Sequence, residues 1–176
     1  MSERTKATSM EIKRLSIPDL PLRVEWMNNP LIYSSMHFSV PVLLDQTIEW
    51  FKRNQLRDDR VDFVFRGCDG ETEAYGGITS INRDIGKGET YIFTNPSSHN
   101  KGIGTEAMNL LCQYGFEELG LNKLYAYTNE DNKASLRLHQ KVGFIIEGRL
   151  RQEYQDASGV LKDRYYLGFL RDNYIR

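Results

Sequence analysis

Apolar and polar residues alternate with a period of two in MEIKRLS (Met10 to Ser16), as they do along a half-buried strand. The following IPDLPLRVEWMNNP places prolines where helices start and closes on Asn28-Asn29-Pro30, which predicts a short helix in between. In LDQTIEWFKRN, Leu44, Ile48 and Phe51 recur at i, i+4 and i+7, the apolar face of a second helix. VDFVFRG (Val61 to Gly67) and EAYGGITSIN (Glu73 to Asn82) read as a strand hairpin around the turn-rich CDGET. GETYIFTNP (Gly88 to Pro96) is a further strand, stopped by Asn95-Pro96. From Gly104, the positions Ala107, Leu110, Leu111 and Tyr114 share one helical face, and Gly120 ends that helix at about Leu119. LNKLYAYTN is then a strand, a helix runs from about Asn132 to Val142 before Gly143, and two strand-like runs around Asp156-Ala157-Ser158-Gly159 form a terminal hairpin. Strand, two helices, three strands, helix, strand, helix and two strands make a mixed α/β order. Without an internal repeat or linker, residues 10–176 read as a single domain behind a polar leader, residues 1–9.

Charge and cysteine content then narrow the setting. A formal net charge of -1 carries no broad basic footprint for nucleic acid, and no polybasic run addresses a membrane surface. No stretch approaches the roughly 20 apolar residues of a membrane helix, and the polar start lacks a signal-peptide core. Cys68 falls in a glycine-rich loop and Cys112 in mid-helix, so a reducing, cytoplasmic setting is expected, with Cys112 as core packing.

The chemistry concentrates in SSHNKGIGTEAMNLL, where two glycines one residue apart open a helix. The first N–H groups of a helix lack intrahelical partners and carry partial positive charge, so such a loop suits an anion. A P-loop does not fit, because Lys101 precedes the glycines and no Ser or Thr stands where magnesium would be held. A dinucleotide fold does not fit either: its third glycine is replaced by Ala107, and its ribose-binding acid by Thr128 and Asn129.

Downstream, NKASLRLHQKVGF completes a second pattern about thirty residues after HNKGIG. Together the two resemble the GNAT family of N-acetyltransferases, over roughly residues 10 to 170. The family's motifs are Arg/Gln-x-x-Gly-x-Gly/Ala before a helix, then Asn-x-x-Ser/Ala, an aromatic and Gly-Phe. The resemblance implies a central mixed, mostly antiparallel twisted sheet with helices on both faces. That sheet splays open between the strand before the loop and the strand after the first motif helix, and acetyl-CoA lies in the split without a metal. The cofactor set it implies is the N–H groups of Lys101, Gly102, Ile103, Gly104 and Thr105 for the pyrophosphate, and the strand edge of Ile92, Phe93 and Thr94 for the pantetheine amides. Asn132 and Ser135 open the second motif helix, where Asn132 binds the pantetheine arm or merely caps the helix. His99 and Asn100 stand where the family has Arg or Gln followed by Gly, so one charged donor there is missing or partly protonated.

For catalysis the resemblance points to Glu89 as base, seven residues before Pro96, where relatives acting on ribosomal-protein N-termini carry a glutamate; a surface glutamate is the competing reading. Glu130, Glu147, Glu153 and Asp84 are weaker rivals. His139 stands where the family places a tyrosine that protonates the departing thiolate, and is either that acid or a packed histidine. Trp26, Tyr33, His37, Phe38 and Tyr154 are candidates for an aromatic floor under the acceptor, or plain core. NNP, MHFSV, TIEWF, GGITSIN and YIFTNP resemble amino-sugar N-acetyltransferases acting on nucleotide-linked sugars; W-x-N-x-P with TIEWF is shared with the ribosomal-protein N-terminal branch. The expectation is a small-molecule amine acceptor, favouring a nucleotide-linked amino sugar over a ribosomal N-terminus or a polyamine. No nucleic-acid or membrane partner is expected, and a homodimer is possible. A rival of another class is a non-catalytic acyl-CoA-binding module, suggested by the departures at positions 99 and 139.

Overall fold

The computed structural model describes residues 10–36, 38–98, 102–156 and 158–174. Its strands are β1 (Glu11–Arg14), β2 (Val61–Arg66), β3 (Thr72–Asn82), β4 (Lys87–Thr94), β5 (Lys123–Asn129), β6 (Ile145–Gln155) and β7 (Leu161–Leu170). Its helices are α1 (Leu20–Met27), α2 (Pro30–Tyr33), α3 (Leu44–Asn54), α4 (Ile103–Gln113), α5 (Lys133–Val142) and α6 (Arg171–Tyr174). The strands form one seven-stranded sheet in the order β1-β2-β3-β4-β5-β7-β6. All neighbouring pairs are antiparallel except β4 and β5, which α4 connects as a parallel crossover.

Local chemistry explains the differences from the sequence expectations. The helix expected before Pro30 is α1, but a second follows it at once, because Asn29 accepts a hydrogen bond from Leu31 N–H at 3.0 Å and Pro30 occupies the first helical position of a new helix. Asn28 then fixes the chain that follows, since its amide donates to Val42 O at 2.9 Å and accepts from Val42 N–H at 2.7 Å. The helix expected to run to Leu119 does so only by widening: Leu119 N–H donates to Tyr114 O, five residues back, at 3.0 Å. At that turn Gly115 lies against Ile78 and Leu124, 3.0 Å from where a Cβ would sit.

Two apolar layers hold the sheet. On one face Trp26, Met27, Ile32 and Phe51 of α1 to α3 pack on Val64, Tyr75 and Phe93. On the other, Ala107, Met108, Leu111 and Cys112 of α4 pack on Phe63, Phe65, Ile78, Leu124 and Ala126, joined by Leu138 and Val142 of α5. Burial of each large side chain contributes about 1.5–3 kcal/mol. Cys112 is fully buried, and burial pushes its thiol far above the usual range, which leaves it a packing residue.

β4 is the hinge between these layers and the chemistry. Its odd-numbered residues Tyr91 and Phe93 point toward α1 to α3, and bare backbone at Gly77 of β3 makes room for the Tyr91 ring. A Cβ on Gly77 would sit 2.4 Å from Val61 O and 2.7 Å from Tyr91 Cε1. Gly77→Val is therefore expected to cost about 3 kcal/mol from overpacking. Thermal unfolding should then begin roughly 6–12 °C lower. An unchanged midpoint in a calorimetric scan would show that the strand absorbs the side chain.

Candidate active site

The parallel ladder of β4 and β5 covers only Lys87 to Glu89 against Lys123 to Tyr125, although both strands continue, to Thr94 and Asn129. At the divergence the Thr90 hydroxyl donates to Tyr125 O at 3.2 Å, and beyond it the strands part into a cleft of about 560 Å³. The β4 edge of Thr90 to Thr94 pairs with β3 on one side and faces this cleft on the other. Ile92, Phe93 and Thr94 thus line the cleft, as do Asn132, Ser135 and His139 of the segment entering and forming α5. A strand edge with unpaired amide groups suits an extended ligand carrying amides of its own.

Glu89 sits at the root of the parting, half-buried. Burial raises its carboxyl above the usual 4.5, and the Arg164 guanidinium opposes that rise. Arg164, on β7, lies over the Tyr127 ring at 4.8 Å, and both line the cleft. Neither was singled out from the sequence. Only the β5–β7 register, which puts Tyr127 opposite Tyr166 and Asn129 opposite Arg164, carries these residues to Glu89. Of the rival carboxylates, Glu153 is exposed on β6 with its charge acting on Arg164, and the other three lie elsewhere. Glu130 and Glu147 pair with Arg149 and Lys123, and Asp84 lies in the exposed turn after β3.

His139 is 4% exposed, with its ring edge-on to Phe144 at 5.0 Å. Its Nδ1 lies 2.8 Å from Ser135 O, and a carbonyl can only accept, so Nδ1 carries the proton and Nε2 presents a lone pair. That Nε2 is buried and unpartnered. Burial pushes the imidazole below its usual 6.5, the Ser135 carbonyl opposing it. Of the two readings of His139, this geometry favours the packed histidine, because an Nδ1–H bonded to the Ser135 carbonyl leaves Nε2 to accept rather than donate. Ser135 Oγ also lies 3.2 Å from Thr128 Oγ, linking α5 to β5. Asn132 Oδ1 accepts from Ser135 N–H at 3.0 Å, so it caps α5, and only its NH2 end is left for a ligand.

Of the loop before α4, His99, Asn100 and Lys101 lie outside the described residues. Gly102 caps α4 with φ +78, the left-handed region, with open space around it. Gly104 is confined instead: a Cβ would come 2.6 Å from Leu138 Cδ1 of α5 and 3.5 Å from Thr94 Cγ2. The start of α4, with Ile103 and Thr105, is therefore held beside the far end of the β4 edge and can bring its N–H groups to the mouth of the cleft. No group of three or more His, Cys, Asp or Glu is close enough to hold a metal among the described residues.

A second cavity, about 620 Å³, opens between α1, α3 and β4 and meets the cleft at Met36, Tyr91 and Phe93. Phe38 lines it. Trp26 does not. It is 5% exposed and packs edge-on against Tyr75 at 5.1 Å, which makes it a core residue. Tyr33, half-buried on α2, and Tyr154, on β6 and donating to Asp131 at 3.3 Å, line neither cavity. His37 lies outside the described residues. Of the side chains that shape this cavity, Arg23 and Arg60 carry no motif, and Trp50 stands in the TIEWF pattern without having been singled out as a lining residue.

The acetyltransferase (GNAT) domain family matches residues 10–145. The uncharacterized N-acetyltransferase p20 of Bacillus licheniformis is 33% identical over 170 residues, 94% of this chain and 94% of that protein. Spermidine N(1)-acetyltransferase of Escherichia coli (strain K12) is 34% identical over 87 residues, 49% of this chain, and the match spans 47% of that protein's length. In fold, spermidine N-acetyltransferase from Vibrio cholerae in complex with CoA and spermine is similar with a TM-score of 0.89 at 23% identity, over 96% of this chain and 99% of that one. Motifs, split sheet and sequence likeness agree: the chain belongs to the GNAT family of N-acetyltransferases, enzymes that use acetyl-CoA as co-substrate.

Proposed function

We propose that this chain transfers the acetyl group of acetyl-CoA to the primary amine of a small molecule, by direct attack in the cleft between β4 and β5. The observation that carries this reading is a half-buried carboxylate, Glu89, at the point where the two strands separate. Acetyl-CoA supplies the activated acyl group as a thioester. The residues present fit it: the β4 edge of Ile92 to Thr94 for amides, the start of α4 from Gly102 to Thr105 for phosphate, and the Asn132 NH2 for the arm between them.

The chain's own part is threefold. N–H groups on the β4 edge stabilise negative charge that develops on the carbonyl oxygen under attack. Glu89, directly or through water, takes the proton of an amine that titrates near 10 when free. The thiolate then leaves with a proton from water or from Glu89, since His139 holds none at its free nitrogen. The acceptor favoured is a nucleotide-linked amino sugar. A polyamine is the second reading, prompted by the match to spermidine N(1)-acetyltransferase of Escherichia coli (strain K12). Assaying thiol release with amino sugars, polyamines and ribosomal N-terminal peptides tests the reading, and cofactor binding without turnover on any amine would overturn it.

Four outcomes are expected. Glu89→Gln should lower kcat about 10²–10⁴-fold, as loss of a general base does. Because the base works deprotonated, wild-type rate should fall as pH drops through a Glu89 value above 4.5; Arg164→Gln removes the opposing charge and should move that acid limb upward. A limb that stays in place would remove Glu89 from the role. His139, its value lowered from 6.5, should show no titration at pH 7 and above by NMR, with nitrogen shifts of the Nδ1–H form. A valine at Gly102, where φ is +78, strains the loop and should weaken CoA binding at least about tenfold in calorimetry. Full affinity in Gly102→Val would place the phosphates elsewhere.

A further inference from the structure

The second cavity is lined by Arg23, Arg53 and Arg60, with no aspartate or glutamate among its described lining residues. Arg60 is neutralised, since its guanidinium meets Asp62 through Nε at 2.7 Å and Nη2 at 2.9 Å. Arg53 stands exposed at the rim, on α3. Arg23 is different. It is 5% exposed, forms no ion pair among the described residues, and its Nε has no hydrogen-bond partner. Among the described residues its one hydrogen bond is Nη1 donating to the Met27 thioether at 2.9 Å, a weak acceptor. Two aromatic rings also lie against it, Trp50 at 4.8 Å and Phe93 at 5.6 Å from ring centre to guanidinium carbon. Trp50 also lies 4.7 Å from the Arg60 guanidinium, so one indole braces both cations.

A buried charge without a carboxylate partner is costly in the free protein, and the cost is offset when a ligand brings the counter-charge. Arg23, which lines the cavity and whose buried Nε has no partner, is such a group. Resting on the reading that the cleft acetylates small amines, we propose that this cavity is the anion subsite of the acceptor, and that the acceptor is an amine bearing a phosphate. Three guanidinium charges, one of them matched by Asp62, leave about two for the ligand, which matches the charge of about −1.5 to −2 that a phosphate monoester carries at pH 7. Guanidinium forks hold phosphate oxygens bidentately. The cavity and the cleft share Met36, Tyr91 and Phe93, and Tyr91 is two residues along β4 from Glu89. A phosphate held by Arg23 therefore leaves the amine of the same small molecule within reach of the base. The same lining disfavours a polycation, which would meet like charge here.

The test compares glucosamine 6-phosphate, glucosamine and spermidine as acceptors, together with calorimetry of inorganic phosphate on protein whose cofactor loop is saturated with CoA. The phosphorylated sugar should show a KM at least about tenfold below that of glucosamine, and phosphate should compete with it. Arg23→Met should abolish phosphate binding and the preference without changing CoA affinity, and Arg23→Lys should recover part of both. Arg53→Met, on the exposed rim where folding is not at stake, should raise the KM for the phosphorylated sugar alone. Equal KM values for the two sugars with no phosphate binding, or a preference for spermidine over both, would overturn the subsite while leaving acetyl transfer intact. Phosphate binding that depends on Arg23, with none of the amines acetylated, would uphold the subsite and remove the proposed function instead.

Discussion

The site hangs on one interrupted ladder. β4 and β5 run parallel for three residue pairs and then separate, while β3 continues to pair with β4 and β7 with β5 through the same region. Each strand is therefore held rigid by its outer neighbour as its inner edge opens, so the unpaired amide groups are fixed in place. Backbone groups left without partners inside a protein are costly, and a ligand that hydrogen-bonds along the edge relieves that cost. The Thr90 hydroxyl reaching Tyr125 O marks the fork, and Glu89 stands immediately before it.

From that fork the two faces of the sheet divide the labour. The face toward α4 and α5 carries the packing that sets the loop glycines and the Thr128–Ser135–His139 contacts against the cleft. The other face carries charge and aromatic surface: Glu89, Tyr127 and Arg164 at the cleft, then Arg23, Trp50 and Arg60 in the adjoining cavity. Strand alternation causes this separation, since neighbouring residues of β4 point to opposite sides. Glutamate and arginines are thus kept on the side away from α4 and the phosphate site proposed at its start, and the two halves of a ternary complex would approach from different directions.

His139 shows how a residue's position and its chemistry can be decided at different levels. Its place four residues before Gly143 is readable in the chain and puts it on the cleft wall. Its protonation depends on what surrounds it. Phe144 and the α5 backbone exclude water, and the Ser135 carbonyl accepts a hydrogen bond from Nδ1–H, which leaves an unpartnered lone pair on the buried Nε2. Trp26 is the matching case among aromatics: its spacing was equally compatible with a binding floor, and only Tyr75 packed against it makes it core.

What the sequence by itself determined was local: the strand and helix periodicities, within a few residues of the observed ends, the pair of glycines that opens α4, the Asn132 cap, and the paired motifs that name the family. These follow from backbone conformation and side-chain alternation, which neighbouring residues dictate. Glu89 was reachable because it keeps a fixed distance from the end of its strand. Only the tertiary structure decided which residues share the cleft with it. Arg164 is 75 positions away in the chain and arrives through the β5–β7 register, and Arg23, Trp50 and Phe93 meet from two helices and a strand. Such convergence leaves no periodic trace, because the contacts depend on how separate elements pack, and each residue taken singly reads as an ordinary position on its own element.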